Sequence, residues 1–365
     1  MILPSAVPPA AGSAAGRASA LIVAAPGNPS LLAASGFALA DTTGALTELG
    51  NSPFDVAVDA LHVTSDPAGK FLFVVNGDGL AASPNTLTVY AIAADGNLTK
   101  VATTPTGPSP WAAAVDPSGK FVYVRCESLI SSYGLNADGT LTALTPVAAA
   151  AGTGDVLVHP SGTLLFTVGR SSDQLQAFDL NTTTGALTLN GSTSLIPGAG
   201  PLSLALSNTG EFLFTKTEGA AGGGAQECIV YGYALDLQTG ALSPLAPTDT
   251  GLMQADAYHG VSANPTQPVI YLTLATTTSD YAAYAYDLVT GVLTPLTASP
   301  YDLFGGTGSD SLVVSRNGKW GLMTNYYGAQ VAIGAVDPGT GVLNTPTTIS
   351  TGSFPVCVTV VGTVQ

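Results

Sequence analysis

The chain repeats one short turn seven times, and this repeat constrains the fold more than any other feature. The turn is a Gly-x-Leu triplet that returns after about 50 residues. Its copies begin at Gly44, Gly96, Gly139, Gly185, Gly240, Gly291 and Gly341. A tight turn of this kind needs a residue that tolerates positive φ, and glycine meets that need.

A second turn marks the same units. Its clearest copies read Asp-Pro-x-Gly-Lys-Phe and begin at Asp66 and Asp116, with variants at His159, Ser207, Asn264 and Arg316. Short alternating apolar runs such as Phe71–Val75 separate the two turns and predict strands of about five residues. Each unit holds four strands, A to D, with the second turn between A and B and the Gly-x-Leu turn between C and D. Four strands at this period are typical of a propeller blade.

The two chain ends complement each other. The first unit begins at strand B with Leu21–Val23, while Phe354–Val360 matches the start of a unit that has no continuation. We therefore predict an all-β, seven-bladed β-propeller of four-stranded antiparallel blades, closed by the C-terminal strand joining the first blade. The propeller domain is expected over residues 16–365, preceded by a flexible tail rich in Pro and Ala at residues 1–15.

Charge is scarce and strongly acidic. Charged residues make up 9% of the chain, the net charge is -15, and nine residues are Lys or Arg. Nucleic-acid binding needs a basic face, which this composition excludes. No apolar run approaches the roughly 18 residues of a membrane span. The surface composition favours a monomeric periplasmic or extracellular protein of the bacterial envelope, although no positive charge precedes Arg17 as an intact secretory signal requires.

Neither a metal nor a cofactor is predicted. The three cysteines, Cys126, Cys228 and Cys357, are widely spaced, and no Cys/His metal spacing or phosphate loop occurs. We interpret the cysteines as small buried hydrophobic residues.

The two turn motifs together resemble the lactonase-type seven-bladed propellers, a family that includes the propeller-type 6-phosphogluconolactonases. The resemblance covers roughly residues 16 to 362 and implies hydrolysis of a sugar lactone or similar cyclic ester. The family usually places a His early in strand A, seven residues before the turn glycine. The residues at that position here are His62, Ala112, Asp155, Ser203, Gly260, Ser311 and Cys357. His62 is thus a candidate catalytic base.

A binding site is expected on the face that carries the B–C and D–A loops, because these loops are long and varied. The longest span residues 76–85, 218–226, 276–280 and 299–309. Three cations near the ends of strands B predict a site for a sugar acid or lactone: Arg125, Arg170 and Lys216. Glu127 and Glu218 are candidate catalytic acid/base residues, with Trp111 and His259 near the same mouth. The alternative interpretation is a set of structural ion pairs at the rim.

Two classes of function remain open at this point. One is a lactone hydrolase, which requires His62 and the Arg/Glu cluster to converge on one pocket. The other is a secreted or periplasmic binding scaffold without catalysis, in which these residues do not converge.

Overall fold

The computed structural model describes residues 19–24, 33–55, 60–77, 85–217, 226–254, 260–274, 279–303, 308–351 and 355–361. Regular structure within these ranges is β, apart from a 3-10 turn at Arg170–Ser172. No helix in the described ranges has the length and apolar character needed to cross a membrane. The predicted N-terminal tail, residues 1–15, lies outside the described residues.

The strands of the N-terminal half follow in chain order. The first four are β1 (Ser19–Ala24), β2 (Ala33–Leu39), β3 (Leu46–Glu48) and β4 (Phe54–Asp55). The next four are β5 (Ala60–Ser65), β6 (Phe71–Asn76), β7 (Thr86–Ile92) and β8 (Leu98–Pro105). They are followed by β9 (Ala112–Val115), β10 (Phe121–Arg125), β11 (Leu129–Leu135), β12 (Leu141–Ala143) and β13 (Val147–Ala148). Then come β14 (Val156–Val158), β15 (Leu164–Gly169), β16 (Gln174–Leu180) and β17 (Leu187–Ser194).

The C-terminal half continues the same pattern. It opens with β18 (Pro201–Leu206), β19 (Phe212–Thr217), β20 (Gln226–Leu235), β21 (Leu242–Pro244) and β22 (Thr248–Gln254). The next group is β23 (Val261–Ala263), β24 (Val269–Thr273), β25 (Tyr281–Tyr286) and β26 (Leu293–Pro295). The last strands are β27 (Leu312–Val314), β28 (Trp320–Asn325), β29 (Gln330–Ala335), β30 (Thr347–Ser350) and β31 (Cys357–Val361).

These strands form antiparallel sheets, which we number as blades in the order of their Gly-x-Leu turns. Blade 1 has the order β31-β1-β2-β3, and blades 2 to 7 begin at β5, β9, β14, β18, β23 and β27. In blades 2 to 7, four strands lie side by side in the sheet in chain order, with the first strand innermost. In addition, β4 pairs with β2, β13 with β11 and β22 with β20. The prediction of an all-β propeller with four-stranded antiparallel blades is confirmed.

The A–B turn is held by its first side chain. Asp66 accepts hydrogen bonds from the backbone N–H groups of Lys70 (2.7 Å) and Phe71 (2.6 Å) through one carboxylate oxygen and of Ala68 (3.1 Å) through the other. His159 replaces this aspartate in blade 4, where its Nδ1 accepts the N–H of Ser161 at 3.0 Å. The sequence-based interpretation of His159 as a turn residue agrees with this geometry.

The two sequence turns meet across the blade interfaces. A Cβ built on Gly139, in the C–D turn of blade 3, would stand 2.5 Å from the ring of Phe71 in blade 2. Gly185 faces Phe121 in the same way, and Gly291 faces Phe212. The glycine therefore provides positive φ and also leaves room for the first aromatic side chain of the preceding blade's strand B. This contact explains why the A–B and C–D turn motifs recur together along the chain.

Blade 1 combines both ends of the chain. Strand β31 pairs antiparallel with β1, with Ala20 opposite Val361 and Ala24 opposite Cys357. Its C–D turn meets blade 7, because a Cβ on Gly44 would stand 2.3 Å from the Trp320 ring. Trp320 Nε1 also donates to the carbonyl of Asp41 at 2.9 Å, and Lys319 Nζ lies 3.3 Å from the Asp41 carboxylate.

Candidate functional site at the start of the innermost strands

The first strands of the blades line the centre of the molecule. Each of them contacts the first strand of a neighbouring blade, in the order β31, β5, β9, β14, β18, β23, β27 and back to β31. The residues that occupy one equivalent position near the start of these strands were identified from the sequence. They are His62, Ala112, Asp155, Ser203, Gly260, Ser311 and Cys357. We call this set the axial ring.

His62 lies in β5 and is partly exposed to water. Its Nδ1 accepts a hydrogen bond from the backbone N–H of Ala113, in the first strand of blade 3, at 3.3 Å. An accepting Nδ1 assigns the proton of the neutral imidazole to Nε2. In this tautomer neutral His62 is a hydrogen-bond donor at Nε2, and its role as a catalytic base stays a prediction.

Asp155 immediately precedes β14 and uses its carboxylate in the same manner. One oxygen accepts the N–H of Val156 at 2.8 Å, and the other accepts the N–H of Leu204, in the first strand of blade 5, at 3.0 Å. Enclosure of the carboxylate raises the pKa of Asp155 to about 6, since these two hydrogen bonds only partly offset the loss of solvation. The residue as a whole remains partly accessible to water.

Cys357 in blade 1 also approaches the backbone of the next blade. Its Sγ lies 3.9 Å from the carbonyl oxygen of Val63 in blade 2. Burial raises the pKa of the Cys357 thiol to about 12, and the negative charge of Asp155 contributes to the increase. Asp155 belongs to blade 4 and Cys357 to blade 1, and each lies at or next to the start of the innermost strand of its blade. The prediction that the cysteines are buried is confirmed for all three.

Ser203 is the axial-ring residue of blade 5. It is only 2% exposed, and its hydroxyl has no hydrogen-bond partner among the described residues. A buried hydroxyl without a partner costs roughly 1 to 3 kcal/mol, so such groups are uncommon and point to a ligand or water.

Arg125 does not present its charge to a ligand at the rim. The side chain is completely buried between blades 3 and 4. Its guanidinium donates to the carbonyls of Val168 (3.3 Å) and Gly152 (2.7 Å), and also to those of Cys126 and Ala150. Burial lowers the pKa of Arg125 to about 10, which leaves the group charged at neutral pH. This geometry corrects the predicted ligand-binding role to one of joining two blades.

Lys216 is the equivalent residue of blade 5 and has the same structural role. It is 2% exposed, and its Nζ donates to the carbonyl of Thr273 in blade 6 at 2.5 Å. Gly260 packs directly against this chain, since a Cβ there would stand 2.7 Å from Nζ. Arg125 and Lys216 therefore lie at two different blade interfaces, and the predicted anion pocket is not assembled from them.

The remaining predicted site residues are dispersed. Arg170 and Glu127 are exposed, and their proposed ligand roles stay predictions. Trp111 is 9% exposed and packs in the apolar cluster with Tyr123 and Phe178, which supports packing over stacking on a sugar. Glu218 and His259 lie outside the described residues, as do most of the long loops that were expected to carry a site.

Sequence reasoning did not select Asp155 as a candidate site residue. The signal was available, because Asp155 occupies the same position in its unit as His62. Its importance depends on enclosure at the centre of the ring, and a single sequence does not display that property.

The fold and the axial ring define a β-propeller with polar side chains at the start of its innermost strands. Residues 34–146 match a family model described as lactonase, 7-bladed β-propeller, which confirms the predicted resemblance. No curated protein matches the sequence.

Several solved structures share the fold. A putative 6-phosphogluconolactonase from Bacteroides fragilis has 20% identity and a TM-score of 0.78, covering 96% of this chain and 100% of its own. A periplasmic gluconolactonase from Pseudomonas aeruginosa has 17% identity and a TM-score of 0.77, covering 94% of this chain and 99% of its own. At these identities the similarity shows the fold alone.

Proposed function

We propose that this protein hydrolyses a sugar lactone or similar cyclic ester at the mouth of the central channel, where the innermost strands begin. The observation that carries the proposal is the axial ring, in which partly exposed His62 and Asp155 occupy equivalent positions in two blades and each accepts a backbone N–H of the next blade. An enclosed carboxylate whose pKa is raised to about 6 is a candidate acid/base group, which favours catalysis over a non-catalytic scaffold. The lactonase family match supports the same reaction class.

Lactone hydrolysis requires a base for water and a donor for the ester oxygen. His62 suits the donor role, because its Nδ1 is occupied by the Ala113 N–H and its neutral form carries the proton on Nε2. The donor stabilises the negative charge that develops on the carbonyl or leaving oxygen. The product is an open-chain hydroxy acid.

The proposal is tested by acid release in a pH-stat with a panel of sugar lactones that includes glucono-δ-lactone. We expect turnover above the spontaneous rate and a large loss in His62→Ala. Lys100→Ala, at an exposed position in β8, is the control and should keep parental turnover. A chain that accelerates the opening of none of these lactones would contradict the proposal and favour the scaffold.

We also propose that seven blades form a closed ring. Support comes from the β31–β1 pairing, the Gly44–Trp320 contact between blades 1 and 7, and the Cys357–Val63 contact between blades 1 and 2. A closed ring protects the sheet edges, which would otherwise invite aggregation.

Localisation in the periplasm or outside the cell is a further proposal. It rests on the low charge and the Ser/Thr/Gly-rich composition. Fractionation of the native host tests it, and a protein found only in the cytosol would contradict it.

A further inference from the structure

Two neighbouring members of the axial ring combine a carboxylate and an unsatisfied hydroxyl. Asp155 of blade 4 accepts the N–H of Leu204, and Leu204 directly follows Ser203 of blade 5. From standard bond lengths, Ser203 Oγ therefore lies within about 8 Å of the Asp155 carboxylate. The two groups are not hydrogen-bonded to each other, because Ser203 Oγ has no partner among the described residues. One water molecule bridging the two groups requires a separation of up to about 5.5 Å, which lies within this bound.

We infer that Asp155 and Ser203 together hold the water molecule that attacks the lactone, with Asp155 as its general base. This inference rests on the proposed function and names the residues that carry out its central step. Two independent observations support it. The Ser203 hydroxyl in blade 5 has no hydrogen-bond partner among the described residues. The Asp155 carboxylate in blade 4 is enclosed, which raises its pKa.

The chemical step is balanced without any further reactant. Asp155 takes a proton from water as the water oxygen bonds to the lactone carbonyl carbon. The tetrahedral intermediate then collapses, the ring C–O bond breaks, and the proton passes from Asp155 to the leaving alkoxide oxygen. One water is consumed and one hydroxy acid is formed.

The surroundings of Asp155 favour this role near neutral pH. The pKa of Asp155 is raised to about 6 by burial, so the carboxylate is mostly ionised at pH 7 and basic enough to accept a proton. Cys357 interacts electrostatically with Asp155, and burial keeps this thiol protonated by raising its pKa to about 12. Arg125, at the interface of blades 3 and 4, stays charged with a pKa of about 10.

The experiment compares kcat/KM for glucono-δ-lactone between pH 4.5 and 8 in the parent, Asp155→Asn and Ser203→Ala. In the parent we expect an activity increase centred near pH 6. Asp155→Asn should lose roughly 10²- to 10⁴-fold in activity together with this inflection. Ser203→Ala should lose about tenfold, as expected for one hydrogen bond, and keep the inflection.

Asp173→Asn is the matched control, because that carboxylate also accepts two backbone N–H groups, from Gly198 (2.6 Å) and Gly200 (2.8 Å). It should keep parental activity and its pH profile. Parental activity in a folded Asp155→Asn protein would overturn the inference and leave the lactonase proposal intact.

A crystal structure that resolves ordered water supplies a measurement independent of turnover. We expect one water within hydrogen-bond distance of both Asp155 and Ser203, and its absence would overturn the inference. If the parent opens no lactone, the proposed function and the base role fall together, whether or not this water is present.

Discussion

At the scale of single residues, Asp155 makes the folded protein sensitive to pH. Its pKa is raised to about 6 in the folded state from the ordinary 3.8, so folding favours the protonated acid. The sign follows from linkage: stability is greatest when the group is protonated and is lost as pH rises through about 6. The full effect of a shift of this size is about 3 kcal/mol.

We therefore predict that Asp155→Asn loses less stability than the parent between pH 3 and pH 7. Urea unfolding at several pH values measures the difference, which should change mainly between about pH 4 and pH 6. Burial lowers the pKa of His159, which weakens the fold as pH falls, but this contribution is common to both proteins and cancels in the comparison. If the difference in unfolding free energy between the two proteins did not vary with pH, burial would not raise the pKa of Asp155.

Arg125 gives a second prediction at this scale. Arg125→Ala removes the donor shared by the carbonyls of Val168 and Gly152 at the interface of blades 3 and 4. Each buried acceptor left unpaired costs about 1 to 3 kcal/mol, so for these two carbonyls we expect a loss of about 2 to 6 kcal/mol in the free energy of unfolding.

Arg170→Ala, at an exposed position, should change the unfolding free energy by no more than about 0.5 kcal/mol. Chemical denaturation compares the two variants. An Arg125→Ala protein that unfolds like the parent would return Arg125 to the candidates for ligand binding.

These residues show where sequence reasoning succeeds and where it stops. The repeat correctly placed Arg125 at the end of a strand B and His62 in a strand A. The direction of each side chain relative to the next blade depends on packing between units, which the alternation within one strand does not specify. Cations that looked suited to a ligand are therefore found bound to carbonyls.

At the scale of elements, the glycine–aromatic contact makes the C–D turn part of the blade interface. Gly139 has φ +86°, and an added Cβ would stand 2.5 Å from Phe71. Gly119 has a comparable φ of +68°, but the nearest atom to its Cβ would be 3.8 Å away. Comparing alanine substitutions at the two glycines therefore distinguishes the energetic cost of the left-handed backbone from that of a steric clash with the neighbouring ring.

We predict that Gly119→Ala destabilises by about 1 to 2 kcal/mol, the cost of a left-handed conformation. Gly139→Ala should lose a further 1 to 3 kcal/mol or so through overpacking. Thermal and urea unfolding measure both. Adding Phe71→Leu should recover part of the stability lost in Gly139→Ala and none of that lost in Gly119→Ala. Equal losses in the two alanine variants would mean that the C–D turn does not pack on the Phe71 ring.

The strands themselves were largely accessible from the sequence. The turn glycines and the apolar alternation predict four strands per unit, and the pairing in blades 2 to 7 follows that order. The additional strands β4, β13 and β22 were not predicted, because each pairs with the third strand of its blade beyond the regular repeat. β4 and β13 have two residues each, whereas β22 has seven.

At the scale of the whole molecule, stability depends on the last strand. Deletion of residues 353–365 removes Val356, Val358 and Val361, each of which is 2% exposed. At roughly 1.5 to 3 kcal/mol for each buried side chain, the loss is about 5 to 9 kcal/mol. A domain has only about 5 to 15 kcal/mol of stability in total.

The truncated chain is expected to be insoluble or to melt far below the parent, as judged by soluble yield and melting temperature. Deletion of residues 1–15, the tail predicted from the sequence, is the control and should leave the melting temperature unchanged. An unaltered melting temperature in the C-terminal deletion would contradict closure by β31.

The axial contacts also share one rotational sense. Cys357 of blade 1 reaches blade 2, His62 of blade 2 reaches blade 3, and Asp155 of blade 4 reaches blade 5. Each of these three side chains is therefore shared between its own blade and the next one along the chain. Replacing one of them should weaken the interface with the following blade first, so a position that looks internal to one repeat in the sequence in fact joins two repeats.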